Sequence, residues 1–210
     1  MPSVLSVQLN NTEFILFGDS MLRRFYNYVH NTRDTPQSSF CRGGQEIGDL
    51  TTALKKNTKY FVEQKLLIMI GTNDLMRISQ PRRDFAFICQ DLLRLRNLIQ
   101  KCKFSKIIWL SIPPVPCTFF NPGHRDAWIE VNSFIQDQIV PSMRNTQFLS
   151  ITDLFCTNFD TEIQLSRYVP EHYEPHNMQV HWNSRTIDIV RERIRQLLFK
   201  NTASRYQRFR

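Results

Sequence analysis

The chain has 210 residues, 41% hydrophobic and 22% charged, which suits one globular domain with a full core and excludes a disordered polymer. Its 27 basic residues outnumber 19 acidic ones, and the resulting charge of +8 favours polyanionic partners. No apolar run approaches the roughly 18 residues of a membrane span, and five scattered cysteines without a CxxC pair (Cys41, Cys89, Cys102, Cys117, Cys156) point away from a disulfide framework and from a metal site.

Taken in order, short apolar runs alternate with amphipathic stretches, the pattern of a parallel sheet with crossover helices. Phe14-Ile15-Leu16-Phe17 is wholly apolar and stops at Gly18, which predicts a buried strand; a helix over Met21 to His30 follows. Asn31 to Gly44, with Pro36, serines and a Gly-Gly pair, is expected to be loop, and Glu46 to Lys56 a second helix. Leu66 to Ile70 is the next strand, closed by Gly71. In Arg83 to Cys102, Phe85, Ile88, Leu92, Leu95, Ile99 and Cys102 recur at helical spacing. Lys106 to Ile112 is a strand stopped by Pro113-Pro114, Asp126 to Val140 a helix ended by Pro141, and Gln147 to Ile151 a short strand. Thr157 to Gln179 lacks periodicity. A last helix is expected from Asn183 or Ser184 to about Lys200, burying Ile187, Val190, Ile194, Leu197 and Leu198. The sum is a three-layer α/β/α sandwich with a mostly parallel, flavodoxin-like sheet over residues 1–202, followed by a basic tail, 203–210.

Ligands of open parallel sheets sit beyond the carboxyl ends of the strands, and four motifs fall there. Gly18-Asp19-Ser20 opens a helix, Gly43-Gly44 lies in the following loop, Gly71-Thr72-Asn73-Asp74 ends the second apolar strand, and His181 precedes the last helix. Alone, each is an ordinary turn or cap. In this order and at these junctions, the set resembles the SGNH (GDSL-type) hydrolase superfamily over nearly the whole chain. That resemblance implies Ser20 as nucleophile, His181 as base, and an oxyanion hole made by the Ser20 N–H, the Gly44 N–H and the Asn73 amide. Asn132 also matches a helix position common in the superfamily. The last block departs from it: the aspartate of DxxH is replaced by Met178, which cannot accept the imidazole Nδ1–H strongly or stabilise an imidazolium. A pseudoenzyme is expected, with a Ser20–His181 dyad acting on acyl esters as the alternative.

Charge narrows the partners. Ser184 to Arg210 holds eight basic residues and two acidic ones, six of the net eight charges. Phosphate contacts are expected from Arg23, Arg24 and Arg42 near the old site, from Arg185, Arg193, Arg195 and Lys200 on the last helix, and from Arg205 and Arg208 in the tail. Tyr206 and Phe209 alternate with the tail arginines and are candidates for base stacking. With the degraded last block, this charge resembles the OSK domain family of insect germ-plasm organisers. It implies RNA, including messenger RNA, as partner, a place among other proteins of cytoplasmic ribonucleoprotein granules, no membrane and no cofactor. The start, Met1 to Phe14, has no basic n-region or long apolar core, in keeping with a cytoplasmic chain. A protein-interaction scaffold whose charge only aids solubility is the third reading.

Overall fold

A twisted sheet of five strands in the order β1-β2-β3-β4-β5 forms the middle layer of the chain. In the computed structural model, residues 2–33, 35–78, 84–157, 162–170 and 180–207 are described, with side chains of the last helix described as far as Phe199. The strands are β1 (Leu5–Leu9), β2 (Thr12–Gly18), β3 (Lys65–Met69), β4 (Lys106–Leu110) and β5 (Thr146–Leu149). β2 to β5 run parallel, and β1 is antiparallel to β2. β1 is an addition to the strands expected from the apolar runs. It alternates buried Leu5, Val7 and Leu9 with more exposed residues, and Asn10 and Asn11 both take positive φ, at 50° and 58°. Such a pair makes the tight turn that matches strand twist. In a flavodoxin-like sheet the strand beyond the first is supplied by a later one; here β1 and a single bridge from Gly18 to Cys41 occupy that edge.

The helices are α1 (Ser20–His30), α2 (Ile47–Lys55), α3 (Thr72–Met76), α4 (Phe85–Lys101), α5 (Pro116–Phe119), α6 (Pro122–Phe134) and α7 (Ser184–Gln207). Alternation along the buried strands splits the core into two layers. Phe14, Leu16, Leu67, Met69, Ile108 and Leu110 face Met21, Leu22 and Phe25 of α1 and Ile187, Val190 and Ile194 of α7. Ile15, Phe17, Leu66, Ile68, Ile70, Ile107 and Trp109 face α2, α4 and α6. Right-handed crossovers account for this: α1 links β2 to the parallel bridge at Cys41 on one side of it, whereas α2, α4 and α6 precede strands added on the other side and so fall on the opposite face. α7 packs beside α1 on the first face.

Three boundaries differ from the sequence expectation for local reasons. α6 begins at Pro122 rather than Asp126, since Asn121 caps it by accepting the Gly123 N–H and Pro at the first turn loses no hydrogen bond. α6 also runs on into a π turn over Ile135–Ile139. α7 continues past Lys200 to Gln207, with neither Gly nor Pro in Ser184–Gln207 to stop it. Within the unpatterned stretch, Cys156–Thr157 and Glu162–Ile163 form a small antiparallel pair, β6 and β7, followed by a tight turn at Leu165–Arg167. No helix among the described residues is long and apolar enough to cross a membrane, and the five cysteines are free thiols.

Candidate active site

Gly18 ends β2 under a tight constraint: a Cβ there would lie 2.4 Å from the Met69 carbonyl oxygen and 2.9 Å from Leu22 Cδ1. Only glycine lets β2 lie this close to the end of β3 while turning into α1. Asp19 then caps α1, its Oδ1 accepting the Met21 N–H at 2.9 Å, and Ser20 becomes the first helical residue, half-buried at the helix's positive end.

The loop bearing Gly44 is laid against this turn by backbone bonds: Gly18 N–H donates to Phe40 O at 2.8 Å, and Arg42 N–H to Gly18 O at 3.3 Å. Buried Gln45 ties the loop to itself, accepting the Arg42 N–H at 3.0 Å and donating to Ser39 O at 2.7 Å. Gly44 has φ +69° with nothing within 4 Å of its missing Cβ, and its N–H donates to no other described residue. From the neighbouring strand, Gly71 at φ +122° turns the chain into α3; a Cβ there would meet Ile112 Cδ1 at 2.7 Å. Asn132 explains that close approach. Its Oδ1 accepts the Ile112 N–H at 2.7 Å and its Nδ2 donates to Ile112 O at 3.0 Å, so it fixes Ile112 from α6. Asn73 follows Gly71 and donates to Gln45 O at 2.9 Å. The loop that bears Gly44 is thus tied to Gly18 beside Ser20 and, through Gln45, to Asn73, at the ends of β2 and β3.

His181 arrives at the same edge of the sheet by a separate route. A bridge pairs Tyr168 with Trp182, supported by Val169 N–H to His181 O at 2.9 Å and Asn183 N–H to Arg167 O at 3.1 Å. Trp182 and Tyr168 are buried and pack on Phe155, with centroids 5.6 and 5.5 Å away. Tyr168 also donates to Pro114 O at 2.6 Å, anchoring the bridge beyond the end of β4. Asn183 caps α7 by accepting the Thr186 N–H at 3.0 Å. Met178 lies outside the described residues.

The buried polar residues supporting the site were not singled out in the sequence. Asp19 is fully buried and its carboxyl is pushed up to about 6 by desolvation, against hydrogen bonds from Met21 and Thr72. Asp74, which accepts the Ile47 N–H at 3.1 Å, is pushed up to about 7 for the same reason. An acid raised by burial favours the folded state while protonated. Its contribution is therefore full below the unfolded value near 4 and lost as pH rises through about 6. Between about pH 4 and pH 7 the chain should lose about 3 kcal/mol from Asp19 relative to an Asp19→Asn variant. Urea unfolding of both proteins at several pH values checks this; parallel stability profiles would count against it.

The arginines separate into different environments. Arg23 is half-buried on α1 and Arg24 exposed. Arg42 pairs with Asp49 at 3.1 Å. Arg185 is exposed in the first turn of α7. Arg193, expected to flank the buried stripe as a phosphate contact, is held by Asp153 at 2.7 Å, so part of its charge is already met within the fold. Arg195 leans towards Glu192 at 4.0 Å with its Nε buried. The side chains of Lys200, Arg205 and Tyr206, and residues Arg208 and Phe209, lie outside the described residues. Among the described residues no group of His, Cys, Asp and Glu is placed to hold a metal ion.

The family model of the OSK domain matches residues 2–204. Among solved structures, the chain is similar to the OSK domain of Drosophila Oskar, with 18% identity, 90% of this chain and 88% of that one covered, and a TM-score of 0.70. It is also similar to a GDSL-like lipase from Bacteroides thetaiotaomicron, at 13% identity over 89% and 87% of the two chains with a TM-score of 0.64. An acetylxylan esterase from Geobacillus stearothermophilus, solved as a catalytic mutant, aligns at 16% identity over 85% and 90% with a TM-score of 0.53. No curated protein matches the sequence significantly. The chain belongs to the OSK domain family and carries the fold of the SGNH (GDSL-type) hydrolases.

Proposed function

We propose that this OSK domain binds RNA on the layer formed by α1 and α7 and has lost ester hydrolysis. The observation that carries the reading is how the fold partitions charge. α1 and α7 together contain eight arginines and lysines against two carboxylates, whereas α2, α4, α6 and the Ile135–Ile139 turn contain five of each. Neither α1 nor α7 has an acidic residue in its first turn, where the helix dipole would favour one. Arg185 stands there instead, a placement that suits an external anion better than the helix itself. A basic layer on one side of a sheet, with no such excess on the other, matches a polyanion running across that side. Titration of single-stranded and hairpin RNAs at two salt concentrations tests the reading; a folded protein that binds neither leaves the interaction-scaffold alternative. Messenger RNA, assembly with other proteins of cytoplasmic ribonucleoprotein granules and a germ-plasm role follow on this reading from family membership.

Loss of hydrolysis is supported by Met178. The sequence retains Ser20, Gly44, Asn73 and His181, and that retention favours a residual dyad as the second reading. Removing the acid of a catalytic triad costs about four decades in rate, so hydrolysis of short acyl esters is expected to be no faster than that of Ser20→Ala. Turnover abolished by Ser20→Ala would establish the dyad instead. Met178→Asp should raise the rate if the rest of the machinery remains aligned.

A further inference from the structure

Beside the Ser20 turn, an open cleft of about 580 Å³ lies between α1 and the loop over residues 36–43, lined by Arg23, Ser38, Ser39, Cys41, Arg42 and Gly43 among others. We propose that this cleft receives a phosphate monoester, the group found at an RNA end or on a free nucleotide, and not an internal phosphodiester. The proposal rests on the RNA reading above only for the RNA source of that group.

Charge in the cleft is of one sign: no carboxylate lines it among the described residues. Arg23 has no acidic partner there, and Arg42, though paired with Asp49, keeps half of its side chain exposed. Guanidinium groups with room for two approaches match the several oxygens of a monoester dianion. Donors other than arginine stand in the cleft lining or next to it. Gly43 and Gly44 are exposed, nothing lies within 4 Å of their missing Cβ positions, and their N–H groups donate to no other described residue. The Ser39 side chain is exposed beside them.

The cleft is also built before any ligand arrives. Gln45 clamps Ser39 and Arg42, Ser38 Oγ donates to Ser3 O at 2.9 Å while accepting the Phe40 N–H at 3.2 Å, and Thr35 donates to Asn27 of α1. Little ordering is therefore required on binding. Charge decides which phosphate the cleft favours. Two guanidinium groups with no carboxylate beside them in the cleft match the two charges and three free oxygens of a terminal monoester better than the single charge and two free oxygens of an internal phosphodiester.

The test compares one oligoribonucleotide carrying a 5′-phosphate, the same oligoribonucleotide with a 5′-hydroxyl, and adenosine monophosphate with inorganic phosphate as small probes. Additional bonds to a charged group should make the 5′-phosphorylated RNA bind about tenfold more tightly. Arg23→Gln should bring the ratio of the two affinities close to one, whereas Arg185→Glu should weaken both RNAs and leave the ratio intact. If the phosphorylated RNA shows no advantage but the small probes perturb the amide resonances of Gly43 and Gly44, the monoester comes from a free nucleotide. If neither occurs, the proposal is wrong. Should both RNAs still bind in that case and lose affinity in Arg185→Glu, the cleft assignment alone falls. Should neither RNA bind at all, the RNA reading falls, and the small probes judge the cleft independently.

Discussion

Truncating Trp182 to alanine is expected to lower stability by about 3–5 kcal/mol, the usual cost of removing a large aromatic from a core. For a chain of this size that corresponds to a fall of roughly 10 °C in Tm. The side chain is 1% exposed and packs on Phe155, which also carries Tyr168. The effect should extend to the site, because the strand pair that Trp182 anchors also holds His181 through Val169. Trp182→Phe should cost far less: it keeps an aromatic ring and removes an indole Nε1–H that is buried without a hydrogen-bond partner. Calorimetry on both variants checks the pair. Equal losses for Ala and Phe would overturn the argument that a packed aromatic ring at this position carries the stability.

Reversing Arg185 and Arg191 to glutamate is expected to weaken single-stranded RNA binding on the order of a hundredfold, the loss of two charge-assisted contacts. The log–log salt dependence should flatten by about 1.4, since each neutralised phosphate on a single strand contributes about 0.7. Arg185 is exposed, and half-buried Arg191 forms no ion pair among the described residues. Folding should survive, since the buried residues Ile187, Val190 and Ile194 are untouched. Arg193→Glu is the informative contrast. Its guanidinium already faces Asp153, so it has less charge to offer a phosphate, and reversal places two carboxylates side by side. A smaller loss of affinity with a larger loss of stability is expected there. Fluorescence anisotropy at two salt concentrations, with circular dichroism as a folding control, separates these outcomes. Unchanged affinity and slope in the folded Arg185/Arg191 variant would leave α7 as an ordinary solvated helix.

Much of the site was determined by the sequence alone, because its parts are local. Gly18-Asp19-Ser20 and Gly71-Thr72-Asn73-Asp74 each sit where an apolar run breaks, and a break in a buried strand has to be a turn at the sheet edge, while Gly43-Gly44 falls in the loop between them. The stripe on the last helix was legible for the same reason: Ile187, Val190 and Ile194 repeat with the period of one helix and need no knowledge of what covers them. The Asn10-Asn11 turn was equally available, since two adjacent asparagines between alternating residues prefigure the β1–β2 hairpin.

What only the tertiary structure decided involves pairs far apart in the chain. Arg193 and Asp153 are 40 positions apart, and no periodicity reveals that one neutralises the other. The support of Gly71 by Ile112 and Asn132, and of the Gly44 loop by Gln45 and Asn73, depends on which strand lies beside which. The partition of charge is of this kind too. Composition states how many arginines there are, but the side of β2 to which each crossover leads places α2, α4 and α6 on one face and α1 and α7 on the other, so that the arginines of these two helices lie on the same side of the sheet.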